Sequence, residues 1–416
     1  MVDLIRISVV FAAILILLRL KWNVGYVLAA ASLLLWLLYM MSPGSVLSTV
    51  TATVTDVTTV KLFFALTLIR VLEMVLREQQ VLARMTEASR RLLKRKKAVI
   101  VSMPMLIGLL PSLGGAYFSA PMVEESTKGL KMTSEEKGFV NYWFRHPWEY
   151  VLPLYPGILL ASAISGIELR SFILANLTYA LLIFLTGFLF SMRNVRGAFT
   201  TVRPDTGRQD GEASEGQGKG RAEGGAFSNP LWSFLPVSLV LLLVIALRIE
   251  LHIALALTIV ALFLFYRVGL RDIGRSLRYG FTLDVVVLIF GVMLFKTTME
   301  SSGAVSALSR YLADLGIPAL PVIVLLPFLS GILTGITVGF VGSTFPLLIS
   351  LAGGAHLNEM TLAFASGFLG VLLSPVHLCL VLPREYFKAD IWGIYRKIIP
   401  AGSIVMASAF VVYYLV

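Results

Sequence analysis

The sequence predicts an all-α polytopic membrane protein, with about ten transmembrane helices and two re-entrant hairpins in two inverted-topology repeats. Three observations lead to this fold class. The 416 residues are 57% hydrophobic and only 14% charged, whereas soluble domains are roughly 45–50% apolar and 25% charged. Apolar runs long enough for a membrane helix recur along the chain. Two of these stretches are interrupted by glycine-rich breaks, at residues 111–121 and 330–346.

Ten apolar runs approach the roughly 20 residues that a helix needs to cross the hydrocarbon core of a bilayer. They lie at about 4–20, 23–41, 59–76, 139–165, 171–191, 231–247, 251–267, 282–299, 360–382 and 398–416. The first run has no small-residue cleavage site before Arg19, so a retained helix is favoured over a cleaved signal peptide.

The two breaks lie in the apolar stretches 98–126 and 319–350, between the third and fourth run of each half. Lipid offers no hydrogen bonds, so a broken helix at membrane depth needs protein or a water-filled cavity around it. We therefore expect both stretches to be re-entrant hairpins. A kinked spanning helix, or a site where small residues pack, is the alternative interpretation.

Residues 192–229 are polar and glycine-rich and show no apolar periodicity. This composition predicts a disordered cytoplasmic linker between a first repeat, 1–191, and a second, 230–416. Five features recur in the same order, 223 to 229 residues apart: Arg19 and Arg248, Arg70 and Lys296, Gly108 and Gly331, Pro121 and Pro346, and Pro147 and Pro375. Each half holds five spans, an odd number, so the halves are predicted to be inverted. Inverted repeats with broken helices are typical of secondary transporters.

Lysine and arginine predict the orientation, because cytoplasmic loops carry an excess of both. The basic segments 77–97, 267–278 and 384–397 are assigned to the cytoplasm, and the charge-poor loop 42–58 to the outside. Both termini are then outside, the first hairpin enters from the cytoplasm and the second from outside. The net charge of +11 is explained by these loops and does not indicate a nucleic-acid partner.

Small and hydroxylated residues flank both breaks. The candidate binding residues are Ser112, Gly114, Gly115 and Ser119 in the first hairpin, and Thr334, Thr337, Gly342, Ser343 and Thr344 in the second. Glycine allows a ligand to approach the backbone, and hydroxyls with freed backbone groups can bind an ion or a carboxylate.

The fourth span carries ionisable residues beside a proline. The candidates are Asn141, Arg145, His146 and Glu149 around Pro147, with Ser374 and His377 beside Pro375 in the second half. A charge at the bilayer centre costs about 3 kcal/mol or more, so it usually faces a cavity and a partner. Two alternatives remain: a structural ion pair between Arg145 and Glu149, or a span that begins only after Pro147.

Other chemistry is weakly indicated. Arg70, Glu73, Lys296 and Glu300 lie near span ends, as possible coupling or structural charges. One cysteine and four widely separated histidines predict no disulfide and no metal site, so Na⁺ near the hairpin tips is the one ion considered. The absence of a phosphate-binding loop argues against an ATP-driven transporter. The sequence also shows no Ser-His or Cys-His arrangement that would indicate an enzyme.

Two segments, LPSLGGAYFSAP at 110–121 and FRHPWEYVLPLYPG at 144–157, resemble the domain-of-unknown-function 401 family of prokaryotic integral-membrane proteins. That family is related to gluconate permeases within the ion transporter superfamily of secondary carriers. The resemblance implies a homodimer in the plasma membrane (the cell inner membrane), a fixed scaffold and a mobile transport unit. It also implies that hairpin tips and broken spans hold substrate and sodium. Neither hairpin carries the Ser-Asn-Thr motif of dicarboxylate carriers in that superfamily.

We therefore expect a secondary active transporter of a small organic anion of the carboxylate type, a symporter coupled to Na⁺ or H⁺, with elevator-type alternating access. Arg145 is expected to bind the carboxylate. If protons drive transport, Glu149 or His146 is expected to carry them. A Na⁺ (cation)/H⁺ antiporter is the main alternative, and an intramembrane enzyme is a remote one. The expected partners are the organic anion, the coupling cation and the lipid bilayer.

Overall fold

A computed structural model describes residues 2–93, 95–111, 115–191, 230–304 and 318–415, and within these ranges it contains helices and turns but no strand. The predicted linker 192–229 lies outside the described residues. So do Ser112 and Gly114, at the predicted tip of the first hairpin.

Eleven helices make up the described part of the first half. They are α1 Val2–Arg19, α2 Val24–Leu38, α3 Pro43–Thr55, α4 Val57–Glu78, α5 Val81–Leu92, α6 Lys96–Gly108, α7 Gly115–Ser126, α8 Ser134–Trp143, α9 Pro147–Val151, α10 Pro156–Ser165 and α11 Leu169–Ser191. Their ends follow from local chemistry: Asp56, for example, accepts the Thr59 backbone N–H at 2.8 Å and caps α4.

The second half begins with a 3₁₀ turn, Pro230–Phe234, followed by α12 Leu235–Leu241 and a π-helical turn, Leu242–Ala246. Eight further helices complete its described part. They are α13 Leu251–Phe265, α14 Leu270–Gly280, α15 Leu283–Ser301, α16 Ala319–Thr334, α17 Thr337–Leu351, α18 Leu357–Leu373, α19 Leu378–Phe387 and α20 Ile391–Leu415.

Four helical stretches among the described residues are long and apolar enough to cross a membrane. They are Leu169–Ser191, Leu270–Ser301, Leu357–Phe387 and Ile391–Leu415. On α11, five leucines spaced by three or four residues are 45–55% exposed: Leu174, Leu177, Leu181, Leu185 and Leu189. An exposed apolar stripe of this kind is suited to lipid. The predicted class of helical membrane protein is therefore confirmed.

The segment 42–58, predicted as an outer loop, is largely helical, because residues 43–55 of it form α3. Ser42 caps the helix by accepting the Ser45 backbone N–H, and Pro43 occupies its first turn. Threonine hydroxyls then bond back to their own helix, as Thr53 does to the Thr49 carbonyl at 2.8 Å. A search for long apolar runs misses such a helix because much of its surface is polar.

The fourth span of the first half, predicted as one apolar run at 139–165, is three short helices rather than one helix broken only at Pro147. The chain leaves helical geometry after Trp143 and again after Val151. Pro147 and Pro156 start the helices that follow, where their missing N–H costs nothing. In the second half, residues 374–377 separate α18 from α19. We call residues 144–146 the first break and 374–377 the second break.

Helix packing recurs between the halves. Helix α2 packs on α15, and its counterpart α13 packs on α4; α3 packs on α15, and α14 packs on α4. The crossing of α2 and α15 is so close that a Cβ added to Gly291 would lie 2.1 Å from the Gly25 carbonyl oxygen. In each of the helical pairs α6–α7 and α16–α17, the two helices pack on each other and on the broken span of their own half.

Left-handed residues recur in the same way. Twelve described residues have positive φ, and ten of them form five pairs separated by 222 to 227 residues. The pairs are Lys21 and Arg248, Met40 and Arg267, Gln80 and Gly303, Gly129 and Gly353, and Gly166 and Lys388. Positive φ is uncommon in residues other than glycine, and six of these ten residues are not glycine. Among the described residues, the order of helices and the left-handed residues at their ends thus recur in the two halves.

Candidate functional site

The two breaks lie against each other. The Tyr142 hydroxyl, one turn before the first break, donates to the Leu372 carbonyl at 3.0 Å, just before the second. The Nε2 atoms of His146 and His377 are 3.1 Å apart. The structure therefore brings together polar groups more than 200 residues apart in sequence.

Arg145 is the buried cation of this region. The residue is 4% exposed, and its Nε and Nη1 atoms have no hydrogen-bond partner among the described residues. A buried polar group without a partner costs about 1–3 kcal/mol, and a charged one costs more. The alternative of an ion pair between Arg145 and Glu149 does not hold, because no such contact occurs among the described residues and Glu149 bonds elsewhere.

Glu149 links the first break to the second helical pair. Its Oε2 accepts a hydrogen bond from the Thr337 hydroxyl at 2.8 Å, and its Oε1 lies 3.7 Å from His146 Nε2. Thr337 begins α17, and its methyl group would clash with any Cβ at Gly157, 2.3 Å away. Glycine at this position lets α10 and α17 meet end to end.

Both histidines are fixed by backbone carbonyls. His146 Nδ1 lies 2.7 Å from the Tyr142 carbonyl oxygen, and His377 Nδ1 lies 2.6 Å from that of Gly335. A carbonyl oxygen only accepts, so each Nδ1 carries a proton and donates it. Each Nε2 is then free to act as an acceptor or a metal ligand.

Side chains near the two breaks cap the carboxyl-terminal ends of α6 and α16, the first helix of each helical pair. In the first half, Trp148 Nε1 donates to the Met105 carbonyl and the Tyr155 hydroxyl to that of Gly108, at 2.8 and 2.5 Å. In the second half, the Ser374 hydroxyl donates to the Ile332 carbonyl at 2.6 Å. The last carbonyls of a helix have no partner within it, so these contacts let α6 and α16 end inside the protein.

Most of the other candidate residues bond within their own helix or turn, whereas Asn141 bonds to the first helical pair and its side-chain oxygen has no partner among the described residues. Ser119 donates to the Gly115 and Ala116 carbonyls, Asn141 donates to the Ala116 carbonyl at 2.9 Å, and the Thr344 hydroxyl donates to the Phe340 carbonyl. Ser343 lies 3.1 Å from the Ser330 hydroxyl and also donates to the Gly339 carbonyl. Thr334 bonds within the turn at Ile336. Gly342 faces Leu28 and Val292, on α2 and α15.

The four charged residues predicted near span ends lie apart from the breaks. The Arg70 guanidinium is 5.0 Å from the centre of the Tyr279 ring, and Glu73 forms an ion pair with Arg77. Lys296 is half-buried and Glu300 is exposed, towards the end of α15. The contacts of Arg70 and Glu73 favour structural roles between α4 and α14.

A third metal-ligating residue accompanies the histidines. One nitrogen of each of His146 and His377 and the Cys379 sulfur lie within 4.8 Å of one another. Among the described residues this is a group that could hold a metal ion. The sequence prediction of no metal site missed it, since the two histidines lie in different halves. The one local signal was the His-x-Cys spacing of His377 and Cys379.

Two cavities lie away from the breaks. One of about 350 Å³ lies between α4, α10 and residues 244–252, and its lining includes Lys61, Arg170 and Glu250. Another, of about 930 Å³, is lined at the ends of α8, α11 and α20 by residues that include Glu136 and Lys397. Neither of the two is lined by Arg145.

The fold and this buried cluster define a helical membrane protein whose two halves share one order of helices and meet at two broken spans. The family profile described as "Protein of unknown function (DUF401)" matches residues 3–206 and 221–416. The chain therefore belongs to the DUF401 family, as its sequence motifs predicted. A search of curated proteins returns no significant match.

Proposed function

We propose that this protein is a secondary active transporter of a small organic anion of the carboxylate type, coupled to Na⁺ or H⁺. The observation that carries the proposal is Arg145, which is buried at the first break with two nitrogens that have no hydrogen-bond partner among the described residues. A guanidinium binds a carboxylate through two parallel hydrogen bonds. Glu149 and Thr337, which join the halves beside it, are the proposed site of cation coupling.

The repeated order of helices and left-handed stops supports two inverted repeats of five spans, with α6–α7 and α16–α17 as re-entrant hairpins. Contacts between the halves support the assignment of segments to shared sides, because each joins segments assigned to the same side; the proposal that both termini are outside rests on the distribution of lysine and arginine. On the outer side these contacts are Lys61 with Glu250 and Thr49 with Ser301; on the cytoplasmic side they are Arg275 with Glu78, Tyr386 with Glu124, and Lys397 with Glu136.

In this orientation the two cavities open on opposite faces. The cavity beside Lys61 and Glu250 lies on the outer side, and the one beside Glu136 and Lys397 lies on the cytoplasmic side. Elevator-type movement of the helical pairs and broken spans against α2, α4, α13 and α15 would expose the breaks to each face in turn. We further propose a homodimer in a prokaryotic plasma membrane, which light scattering of the purified protein would test.

Uptake into proteoliposomes tests the function. A panel of labelled carboxylates is offered under a sodium gradient or a proton gradient. We expect at least one anion to accumulate, and Arg145→Gln to lower its uptake by about 100-fold, because truncating one partner of a buried charged contact costs about 2–5 kcal/mol. Arg271→Gln, an exposed arginine on α14, is the matched control and should transport normally. Wild-type uptake by Arg145→Gln would contradict the proposed role of Arg145.

The cation/proton antiporter predicts a different result in the same vesicles. Sodium would then trigger proton movement, followed with a pH-sensitive dye, when no organic anion is present. An intramembrane enzyme would instead convert an added anion in detergent solution. Accumulation of the unmodified anion favours the transporter over both alternatives.

A further inference from the structure

The two histidines at the breaks present an electrostatic problem. Each ring donates a hydrogen bond from Nδ1 to a backbone carbonyl oxygen, with an N···O distance of 2.7 Å for His146 and 2.6 Å for His377. In neutral rings, both Nε2 atoms therefore point lone pairs at each other across 3.1 Å. The residues are only 1% and 7% exposed, so bulk water does not screen this repulsion. The pair is stable only with a cation held between or beside the two nitrogens.

The surrounding donors are those of a transition metal. Zinc binds histidine nitrogen at about 2.0–2.1 Å, so two nitrogens in a tetrahedral site lie about 3.3 Å apart, close to the observed 3.1 Å. Cys379 supplies a sulfur within 4.8 Å of the imidazole nitrogens. Three protein ligands leave the fourth position of a tetrahedral site to a water molecule, as in zinc sites that keep one open position. A single shared proton would also join the two nitrogens, so the sulfur is the ligand that distinguishes a metal ion from a proton.

The second coordination shell has the form that metal sites require. A histidine ligand almost always donates its other ring N–H to a carbonyl or a carboxylate, which fixes the tautomer and the direction of the lone pair. Both rings meet this condition through Tyr142 and Gly335. The thiolate of Cys379, a half-buried residue, would supply one negative charge to a divalent ion.

We propose that His146, His377 and Cys379 bind one Zn²⁺ ion between the two halves of the chain. The ion joins the first break to the second break and so resists their separation. This proposal does not depend on transport, because binding is measured on purified protein in detergent.

Cobalt is the spectroscopic probe for this site. The full-length protein is stripped with a chelator and titrated with Co²⁺, which in a tetrahedral site containing thiolate gives intense visible bands and a sulfur-to-cobalt charge-transfer band. We expect one Co²⁺ per chain, displaced by Zn²⁺, and a melting temperature raised by Zn²⁺ because the ion binds the folded state. Outer-shell partners alone are worth about 10–100-fold in metal affinity, so His377→Gln should weaken binding by at least that factor.

Two further variants keep the proposal falsifiable if His377→Gln folds poorly. Cys379→Ala retains both imidazoles and should lose the charge-transfer band. His356→Gln, a matched change outside the cluster at the start of α18, should behave as the wild-type protein does. A wild-type spectrum without tetrahedral or charge-transfer bands would overturn the proposal and leave the histidine pair with a shared proton. A charge-transfer band that survives in Cys379→Ala would overturn it equally.

Discussion

The first break and the second break have related backbones but use their polar groups differently. Near the second, Ser374 and His377 Nδ1 bond to carbonyls at the end of α16 and in the turn after it. At the first, Trp148 and Tyr155 cap the carbonyls of α6, and the cation and carboxylate are additional. Capping of the preceding helix thus occurs at both breaks, whereas Arg145 and Glu149 lie at the first.

This difference shows why an internally repeated protein need not have a chemically symmetric centre. Under the proposed function, a small anion would need one buried guanidinium, and a second would add the cost of another buried charge. Arg145 is the proposed source of that charge, while Thr337 on the second helical pair donates a hydrogen bond to Glu149. We therefore expect that substituting the glycines that pack closest to the two breaks lowers the stability of the protein by different amounts.

The largest effect is expected for Gly108→Ala. The added Cβ would lie 2.6 Å from the Arg145 carbonyl oxygen, which is backbone and cannot rotate away, so we expect a loss of about 3 kcal/mol in stability. Gly335→Ala, at the second break, meets the Ser374 hydroxyl at 3.0 Å and a φ of +66°. The backbone of His377 lies next, at 3.1 and 3.2 Å, and since all these contacts are longer than the 2.6 Å at Gly108, we expect a smaller loss of about 1–2 kcal/mol.

Melting of the purified proteins in detergent measures both changes. Gly274→Ala is the matched control, since its Cβ would meet nothing within 4 Å on the exposed helix α14. It should be neutral or stabilising by up to about 1 kcal/mol. A greater loss for Gly335→Ala than for Gly108→Ala would reverse the comparison of the two breaks.

A smaller effect is expected where the halves are joined. Thr337→Val keeps the methyl group that faces Gly157 but removes the hydroxyl that donates to Glu149 at 2.8 Å. Hydrogen bonds to charged groups contribute about 1.5–3 kcal/mol, so stability should fall by about 2 kcal/mol. Thr344→Val makes the same change on the same helix, where the hydroxyl only bonds back to Phe340. Equal melting temperatures for the two variants would show that the Glu149 contact does not join the halves.

Much of the helical order could be predicted from the sequence, because lipid selects apolar runs and proline marks their breaks. The apolar segments of α4, α11 and α15 were predicted within a few residues of their observed ends. The polar helix α3 and the amphipathic helices α5 and α14 were not predicted. Their helical stretches carry polar or charged faces, so they do not form apolar runs.

The site was partly predictable for a related reason. Arg145, His146 and Glu149 are detectable because a charge within an apolar run needs an explanation. Cys379 was missed, because a thiol is compatible with an apolar run and its neighbours come from another span. Sequence alone also does not distinguish a glycine that packs helices from one that binds a ligand. Gly342 was a candidate binding residue, yet it lies against α2 and α15.

The smallest effects concern the caps that both halves share. Tyr155→Phe removes the hydrogen bond to the Gly108 carbonyl, and Ser374→Ala removes the one to the Ile332 carbonyl. Neutral hydrogen bonds contribute about 1 kcal/mol, so each variant should lose about that much stability and the two losses should be equal within error. Tyr414→Phe, on a residue that is 70% exposed, serves as the control and should melt as the wild-type protein does. If only one of the two capping variants is destabilised, the caps are not equivalent, and the structural repeat does not extend to the side chains that support it.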